Sequence, residues 1–366
     1  MNRERLRKSP NIAIVGSTSL LGKELREMLE DGGFPMGRLA LFETEEYAGL
    51  LQEFAGEIQI TQVISPESFV DVDIAFFTCS PEIMHSYVAS GAKFPELTID
   101  LTQAGSEGTV YLQGISDPRL LRSKGYFVNP HPAAIVIARV LSSLHNRFGV
   151  ESAAVTVLEP ASERGNAGVD ELQEQTVNLL NFQQIENKVF NGQLAFNILP
   201  EREASERTEN RVMEHLEGIL GKTFPKPMIT AVQAPVFHSH AFSVFVQLLG
   251  TPAVEEVTAQ FDRGDGSVTV PAAADGPSPV GVVGTDTIHL GRVRHGGNHP
   301  GAYSLWLVAD NLRIAAANAI RTAEHIRYPL ESSMAGCDGG RALSRLWLVR
   351  LAAAVYRVAE HGYPRG

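Results

Sequence analysis

The chain has 366 residues but only two cysteines, Cys79 and Cys337. A disulfide framework is thereby excluded, and a reducing compartment is the expected setting. No uncharged apolar run approaches the roughly 20 residues that a membrane-spanning helix needs. The basic start, Met1 to Lys8, leads into one short apolar stretch rather than a signal-peptide core. A cytoplasmic protein with no membrane partner is expected. Positive charge is also short, with 31 lysines and arginines against 42 aspartates and glutamates, a formal net charge of -11. Nucleic acid is not an expected partner, because its phosphates would be repelled overall. Internal repeats and long low-complexity linkers are absent as well. What remains, 44% hydrophobic and 20% charged residues, describes a folded chain long enough for two domains, with a small-molecule or protein partner.

Asn11 to Val15 is a short apolar run of the kind buried on both faces of a parallel sheet. It is followed by Gly16, Ser17, Thr18, Ser19, Leu20, Leu21 and Gly22, then by a helical pattern from Lys23 to Leu29. Strand, glycine turn and helix make a phosphate site, since glycines let backbone N–H groups approach an anion at the positive end of a helix. The glycine spacing is not the dinucleotide fingerprint, so a plain strand-to-helix turn is the competing reading. A second strand, Leu39 to Phe42, runs into Glu43, Thr44, Glu45 and Glu46. An acidic group there suits a ribose hydroxyl and opposes a 2′-phosphate, whereas a solvated acidic loop is the bland alternative. Further strands are expected at Asp73 to Thr78 and Leu97 to Asp100, with a helix from Pro81 to Ser90 between them. Cys79 falls where a nicotinamide would sit, but free cysteine is more often simply a buried small residue.

The stretch Phe127 to Ala134 passes from a strand through Asn129, Pro130, His131 and Pro132 into a helical run ending at Leu141. Such strand-to-helix loops carry the chemistry of open α/β sheets. Beyond it, strands are expected at Ser152 to Leu158, Met228 to Phe237, Ala241 to Leu249, Thr287 to Val293 and Ala302 to Val308, with helices at Val169 to Leu180 and Ile314 to His325. Val270 to Gly284 reads as a surface loop. The expected organisation is a Rossmann-like domain, 9–132 plus 310–328, an α+β substrate and dimerisation domain, 133–309, and a C-terminal extension, 331–366. The extension contains an amphipathic stretch, Arg341 to Leu351, that packs on a partner subunit or stays mobile. His131, His238 and His240 raise a metal reading, because 238 and 240 would share one face of a strand. Nothing fixes a third ligand, and no metal is expected.

Several segments, in order from residue 11 to about 328, resemble the aspartate-semialdehyde dehydrogenases. They are the turn Gly16 to Gly22, Asn129-Pro130, Gly165 to Leu172, Glu174 to Thr176, Ala195 to Pro200, Pro235 to Phe237 with His240, and Leu305 to Arg313. The resemblance implies a Rossmann-like α/β domain joined to an α+β dimerisation domain. It also implies an NADP-linked interconversion of an acyl phosphate and an aldehyde through a thioester, using a cysteine nucleophile and a histidine acid/base. The family's nucleophile pattern falls here on Asn129-Pro130-His131-Pro132-Ala133, so Pro132 stands where the cysteine would be. The histidine matches His240, and the glutamine that orients the intermediate matches Gln175. The substrate-carboxylate arginine falls on Gln233 and a phosphate-binding arginine on Ser106, while a basic residue of the substrate domain persists as Arg211. Arginine's bidentate fork has no equivalent in glutamine or serine.

By the resemblance, Asn129, Gln233 and Arg211 face the substrate, and Gly16 to Gly22 with Asn311 face the cofactor. NAD or NADP held weakly, or no dinucleotide, are the cofactor expectations, with NADP disfavoured by Glu43 to Glu46. Two functions follow. One is a homodimeric binding or regulatory paralogue that has lost the phosphorylating reaction, and the other is an NAD(P)-dependent oxidoreductase acting on a semialdehyde or other small carbonyl.

Overall fold

The computed structural model describes residues 9–104, 108–123, 125–200, 208–270, 276–297 and 299–327. The expected helix at Arg341 to Leu351, the extension around it and Ser106 lie outside the described residues.

The first half of the chain builds one seven-stranded sheet. Its elements are β1 (Ile12–Val15), α1 (Leu20–Asp31), β2 (Leu39–Glu43), β3 (Leu51–Phe54), β4 (Glu57–Ile60), β5 (Gln62–Val63), β6 (Ile74–Phe77), α2 (Pro81–Ala89), β7 (Leu97–Asp100), β8 (Thr109–Val110), α3 (Leu120–Ser123) and β9 (Tyr126–Val128). The strand order is β5-β2-β1-β6-β7-β9-β8, all parallel, while β3 and β4 form a separate hairpin. Strand residues alternate between two cores. Ile12, Ile14, Ile74 and Phe76 pack with Leu25 and Leu29 of α1, whereas Ala13, Val15, Ala75 and Phe77 pack with Met84 and Tyr87 of α2. A strand covered on both faces must be apolar throughout, which is why these runs show no period of two. The second core is held by Phe42, Phe69, Phe77, Tyr87, Phe94 and Tyr126, with ring centroids 5.2 to 5.9 Å apart.

The rest comprises α4 (Pro132–Phe148), β10 (Val150–Glu159), α5 (Gly165–Leu180), β11 (Leu199–Pro200), α6 (Thr208–Leu220), β12 (Met228–Gln233), β13 (His240–Leu248), α7 (Val254–Asp262), β14 (Val268–Thr269), β15 (Ile288–His295), β16 (Ala302–Ala309) and α8 (Asn311–Arg327). Here the sheet is mixed, in the order β11-β12-β10-β13-β16-β15-β14. One face is packed by α4, α6 and α7, with Val155, Val157, Phe242, Val244, Leu305 and Leu307 meeting Ile137, Leu216 and Phe261. The other face leaves Met228, Thr230, Ser243, Phe245 and Ser304 exposed. The final helix α8 turns back to the first sheet, where Ala316, Ala319 and Ala323 join the core of Leu25 and Leu29. Its small side chains let it lie close to α1.

The strand order reverses beside β1, with β2 on one side and β6 on the other, so the carboxyl ends of β1 and β6 flank the position where such sheets bind ligands. Gly16 fills that position with φ +86°, and a Cβ there would lie 2.4 Å from the Cys79 backbone nitrogen. Glycine is therefore needed twice over, for its backbone conformation and for the approach. Gly16→Ala should lower the unfolding free energy by roughly 2–4 kcal/mol. Gly33→Ala, at a positive φ but in open space, should lose only about 1 kcal/mol. Urea unfolding midpoints of the two variants check this, and equal losses would remove the packing component.

Candidate functional site

The polar site gathers where four strand ends, a strand-to-helix loop and a short 3-10 helix meet. Register pairs Glu159 at the end of β10 with Gln233 at the end of β12, and His240 begins β13 opposite Ala309, the last residue of β16. Against these ends lie the β9–α4 loop, Asn129 to His131, and a short 3-10 helix, Ala161–Arg164, that carries Glu163. The loop is rigid for local reasons. Pro132 sits at the first position of α4, where its missing N–H costs nothing, and His131 caps the helix by accepting the Ala133 N–H on Nδ1 at 3.1 Å. The cap fixes the tautomer, because Nδ1 is an acceptor and Nε2 is left to carry the proton. That Nε2 lies 2.9 Å from Glu163 Oε1. The other oxygen, Oε2, lies 3.5 Å from His240 Nε2 and accepts from Asn311 Nδ2 at 3.3 Å. One carboxylate thus stands between two imidazoles whose centroids are 5.9 Å apart. From α6, His215 Nδ1 accepts the His131 backbone N–H at 2.9 Å.

Burial sets the charges. Desolvation pushes His240 down from 6.5 to about 4, with Glu163 opposing the shift and His131 adding to it. Its ring is therefore neutral at pH 7, and neither nitrogen has a hydrogen bond. His215 is pushed down to about 3, chiefly by burial, with help from His131 and Arg211. Desolvation works against the Glu163 carboxylate, but attraction to His131 and the hydrogen bond from it, then His240 and Arg164, hold it well below the usual carboxylate range. Glu159 goes the other way, raised to about 7 by burial and by repulsion from Glu163. Two acids a few residues apart are thus driven to opposite protonation preferences, a pattern typical of functional sites. Glu159 Oε1 and Gln233 Oε1 are buried without a partner.

Residues expected at the site are distributed unevenly. Gln233 and His240 lie at strand ends on either side of β10, the ring of His131, next to Pro132, has its centroid 5.9 Å from that of His240, and Arg211 lies one helical turn from His215, reaching Gln103 Oε1 at 3.5 Å. Gln233 gives its amide N–H to the Glu159 carbonyl at 2.8 Å. Gln175 does not reach His240. Its oxygen accepts the Leu194 and Ala195 N–H groups and its nitrogen donates to Glu171 and to the carbonyls of Glu186 and Gly192, clamping the loop after α5. Asn129 spends its side chain on α8, donating to the Ala315 carbonyl and accepting from Asn318 Nδ2 at 2.8 Å. Asn311 likewise turns inward, its oxygen accepting from Ser162 Oγ and the Ser239 N–H. His238 does not share a strand face with His240, because Ser239 adopts φ +74° and β13 begins only at His240. Glu159 and Glu163, which complete the cluster, carried no motif, and only their shared loop with the glycine-containing segment Gly165 to Gly168 hinted at them.

At the glycine turn, Ser19 caps α1, accepting the Gly22 N–H at 2.9 Å. Leu20 and Leu21 follow as the first helical residues, whose N–H groups have no carbonyl behind them within the helix. Ser17 is buried, and Thr18 donates its N–H to Glu43. Cys79 is buried beside the turn, its thiol pushed up to about 12 by desolvation and then by Asp100. It has neither the exposure nor the thiolate character of a nucleophile.

Residues 11–105 match the family model described as semialdehyde dehydrogenase, NAD binding domain, and residues 141–314 match semialdehyde dehydrogenase, dimerisation domain. The aspartate-semialdehyde dehydrogenase of Rickettsia bellii is 27% identical, over 87% of this chain and 98% of its own. A USG-1 protein homolog of Pseudomonas aeruginosa is 30% identical, over 86% of this chain and 96% of its own. The crystal structure of aspartate semialdehyde dehydrogenase II from Vibrio cholerae superposes with a TM-score of 0.78 at 29% identity, covering 87% of this chain and 98% of that one.

Because the folded value of His240, about 4, lies below its unfolded 6.5, the group contributes stability that is complete above pH 6.5 and lost as pH falls toward 4. His240→Gln should remove up to about 1.4 kcal/mol per pH unit from the slope of unfolding free energy across that window. Urea titrations at closely spaced pH values measure it, and an unchanged slope would assign the acid sensitivity to other groups.

Proposed function

The chain belongs to the semialdehyde dehydrogenase family, and on that premise we propose that it is an aspartate-semialdehyde dehydrogenase-like paralogue impaired in the phosphorylating reaction, acting as a cytoplasmic homodimer in a binding or regulatory role. The observation that carries this reading is the β9–α4 turn. It is held next to His240 by the His131–Glu163 bond, and it presents Pro132 where the family resemblance calls for a cysteine. Proline has no group that can attack a carbonyl, so no thioester forms at that position. Cys79 gives no substitute, since it is buried and its thiol is held protonated. The two oxyanion-binding arginines implied by the resemblance fall on Gln233 and Ser106, which weakens the site for an acyl phosphate. The homodimer is supported by the match to a dimerisation domain and by the second sheet's uncovered face, where Phe245 is 42% exposed and Met228 74%. Among the described residues, no helix is long and apolar enough to cross a membrane.

The imidazole–carboxylate–imidazole group favours a second reading, an NAD(P)-dependent oxidoreductase acting on a semialdehyde or other small carbonyl. When bound, a nicotinamide supplies or takes a hydride, and that exchange requires no thiol. The chain's part is then to hold a proton at the carbonyl oxygen. Neutral His240 can accept it from an alcohol, and Glu163 stabilises the imidazolium that results.

Incubated with aspartate semialdehyde, NADP and phosphate, the protein should produce no NADPH. Turnover abolished by His240→Ala would overturn the impairment. In equilibrium titrations, failure to bind either NAD or NADP at millimolar concentration would remove the oxidoreductase reading and leave the binding role. For the dimer, Phe245→Asp should shift the protein toward monomer in sedimentation velocity with the far-UV spectrum unchanged, since the side chain is already partly in solvent. A wild-type chain sedimenting as a monomer would end the homodimer proposal.

A further inference from the structure

The resemblance implies an NADP-type cofactor, yet the residues around the glycine turn do not fit a 2′-phosphate. Glu43 ends β2 directly beside Gly16, because register pairs Val15 with Phe42. It is almost wholly buried, at 4% exposure. Its Oε1 accepts the Thr18 N–H at 2.5 Å and the Ser17 hydroxyl at 3.2 Å. Ser17 in turn accepts from Gln52 Nε2 at 3.0 Å. The direction of this chain is fixed at its end. The Ser17 proton goes to the carboxylate, so the hydroxyl oxygen receives the Gln52 amide hydrogen and the Gln52 carbonyl oxygen points elsewhere. That Oε1 is buried and has no partner. Both Glu43 bonds fall on one of its oxygens, which leaves the other as an acceptor. By contrast, Glu45 and Glu46 occupy an exposed 3-10 turn and bear no part of the network.

We propose that Glu43 and Gln52 form a reader for the free 2′,3′-diol of an adenine-type ribonucleotide seated on the Gly16 turn, so that NAD is accepted and its 2′-phosphorylated counterpart NADP refused. This rests on the reading that the glycine turn holds a nucleotide. A diol offers two hydroxyl donors, and Gln52 Oε1, which has no partner, with the Glu43 oxygen that accepts neither of these bonds, would receive them. A 2′-phosphate offers only acceptor oxygens and adds roughly -1.5 to -2 charge at pH 7, facing a carboxylate in a buried setting. The stretch that carries Glu43 and Gln52 brings no cation of its own, with no lysine or arginine between Arg38 and Lys93, and Arg26 of the neighbouring α1, whose Nη1 is buried without a partner, is the cation that Glu43 must outweigh. Gln52 arrives from the β3–β4 hairpin, which gives that separate two-stranded element a purpose as one wall of the ribose site.

The test is isothermal titration of the full chain with NAD and with NADP, alongside Glu43→Gln and Gln52→Ala. Wild type should bind NAD at least about tenfold more tightly than NADP, the size of one hydrogen bond to a charged group. Glu43→Gln keeps an acceptor for Thr18 while replacing the carboxylate with a donor, and should bring the two affinities to within about threefold. Gln52→Ala should weaken NAD about three- to tenfold and leave NADP unchanged. Circular dichroism of each variant confirms that it is folded, and Gln52→Ala carries the test should Glu43→Gln fail to fold. NADP bound as tightly as NAD by wild type, or a preference unmoved by either variant, overturns the diol reader while leaving a nucleotide site in place. No binding of either by folded wild type overturns both the reader and the nucleotide site.

Discussion

The site depends on one buried carboxylate. Glu163 bonds His131 from the β9–α4 loop and Asn311 from the start of α8, and lies 3.5 Å from His240 at the start of β13, while standing on the 3-10 helix that follows β10. Burying such a group without partners would cost several kcal/mol, so each of these segments is held in place by the need to satisfy it. The His131 cap extends the same constraint into α4 by fixing both the imidazole tautomer and the first turn of the helix. Asn129 and Asn318 tie the loop to α8 from the other side. Truncating Glu163 would therefore disturb geometry at several segment ends at once, not one contact.

Three acids mark where this chain departs from what the family resemblance implies. Glu159 and Glu163 line a site for which the resemblance calls for a thiol and cationic groups, and Glu43 lies where it calls for recognition of a phosphate. The parallel sheet, the glycine turn and the dimerisation-type domain are retained around them.

Much of the scaffold was legible in the chain. Apolar runs such as Ile12 to Val15 and Ile74 to Phe77 identify doubly covered strands, since only burial on both faces removes the alternation of polar residues. The α8 return was readable from its helical period after Asp310. Exposed or short elements were not: the β3–β4 hairpin and α6 lack a strong pattern, because Gln52, Glu57 and Arg211 sit on partly solvated surfaces where packing does not dictate residue type. Gln175 shows what local pattern omits. It lies inside a well-matched segment, but its amide closes the 186–195 loop, a contact between positions 11 to 20 residues apart that no spacing rule reveals.

By itself, then, the sequence determined the α/β architecture with a second sheet-bearing domain, the glycine turn after the first strand, and the presence of a proline where the resemblance calls for a nucleophile. These follow from local periodicity, backbone freedom and side-chain chemistry, all properties of neighbouring residues. Only the tertiary structure decided that Glu163 bonds His131 and lies 3.5 Å from His240, that Glu43 rather than Glu45 or Glu46 meets the glycine turn, and that the side chains of Asn129, Gln175 and Asn311 bond to neighbouring segments of the chain. Those outcomes depend on which strand ends converge and which polar atoms are left to satisfy one another once water is removed, and sequence spacing alone does not encode that pairing.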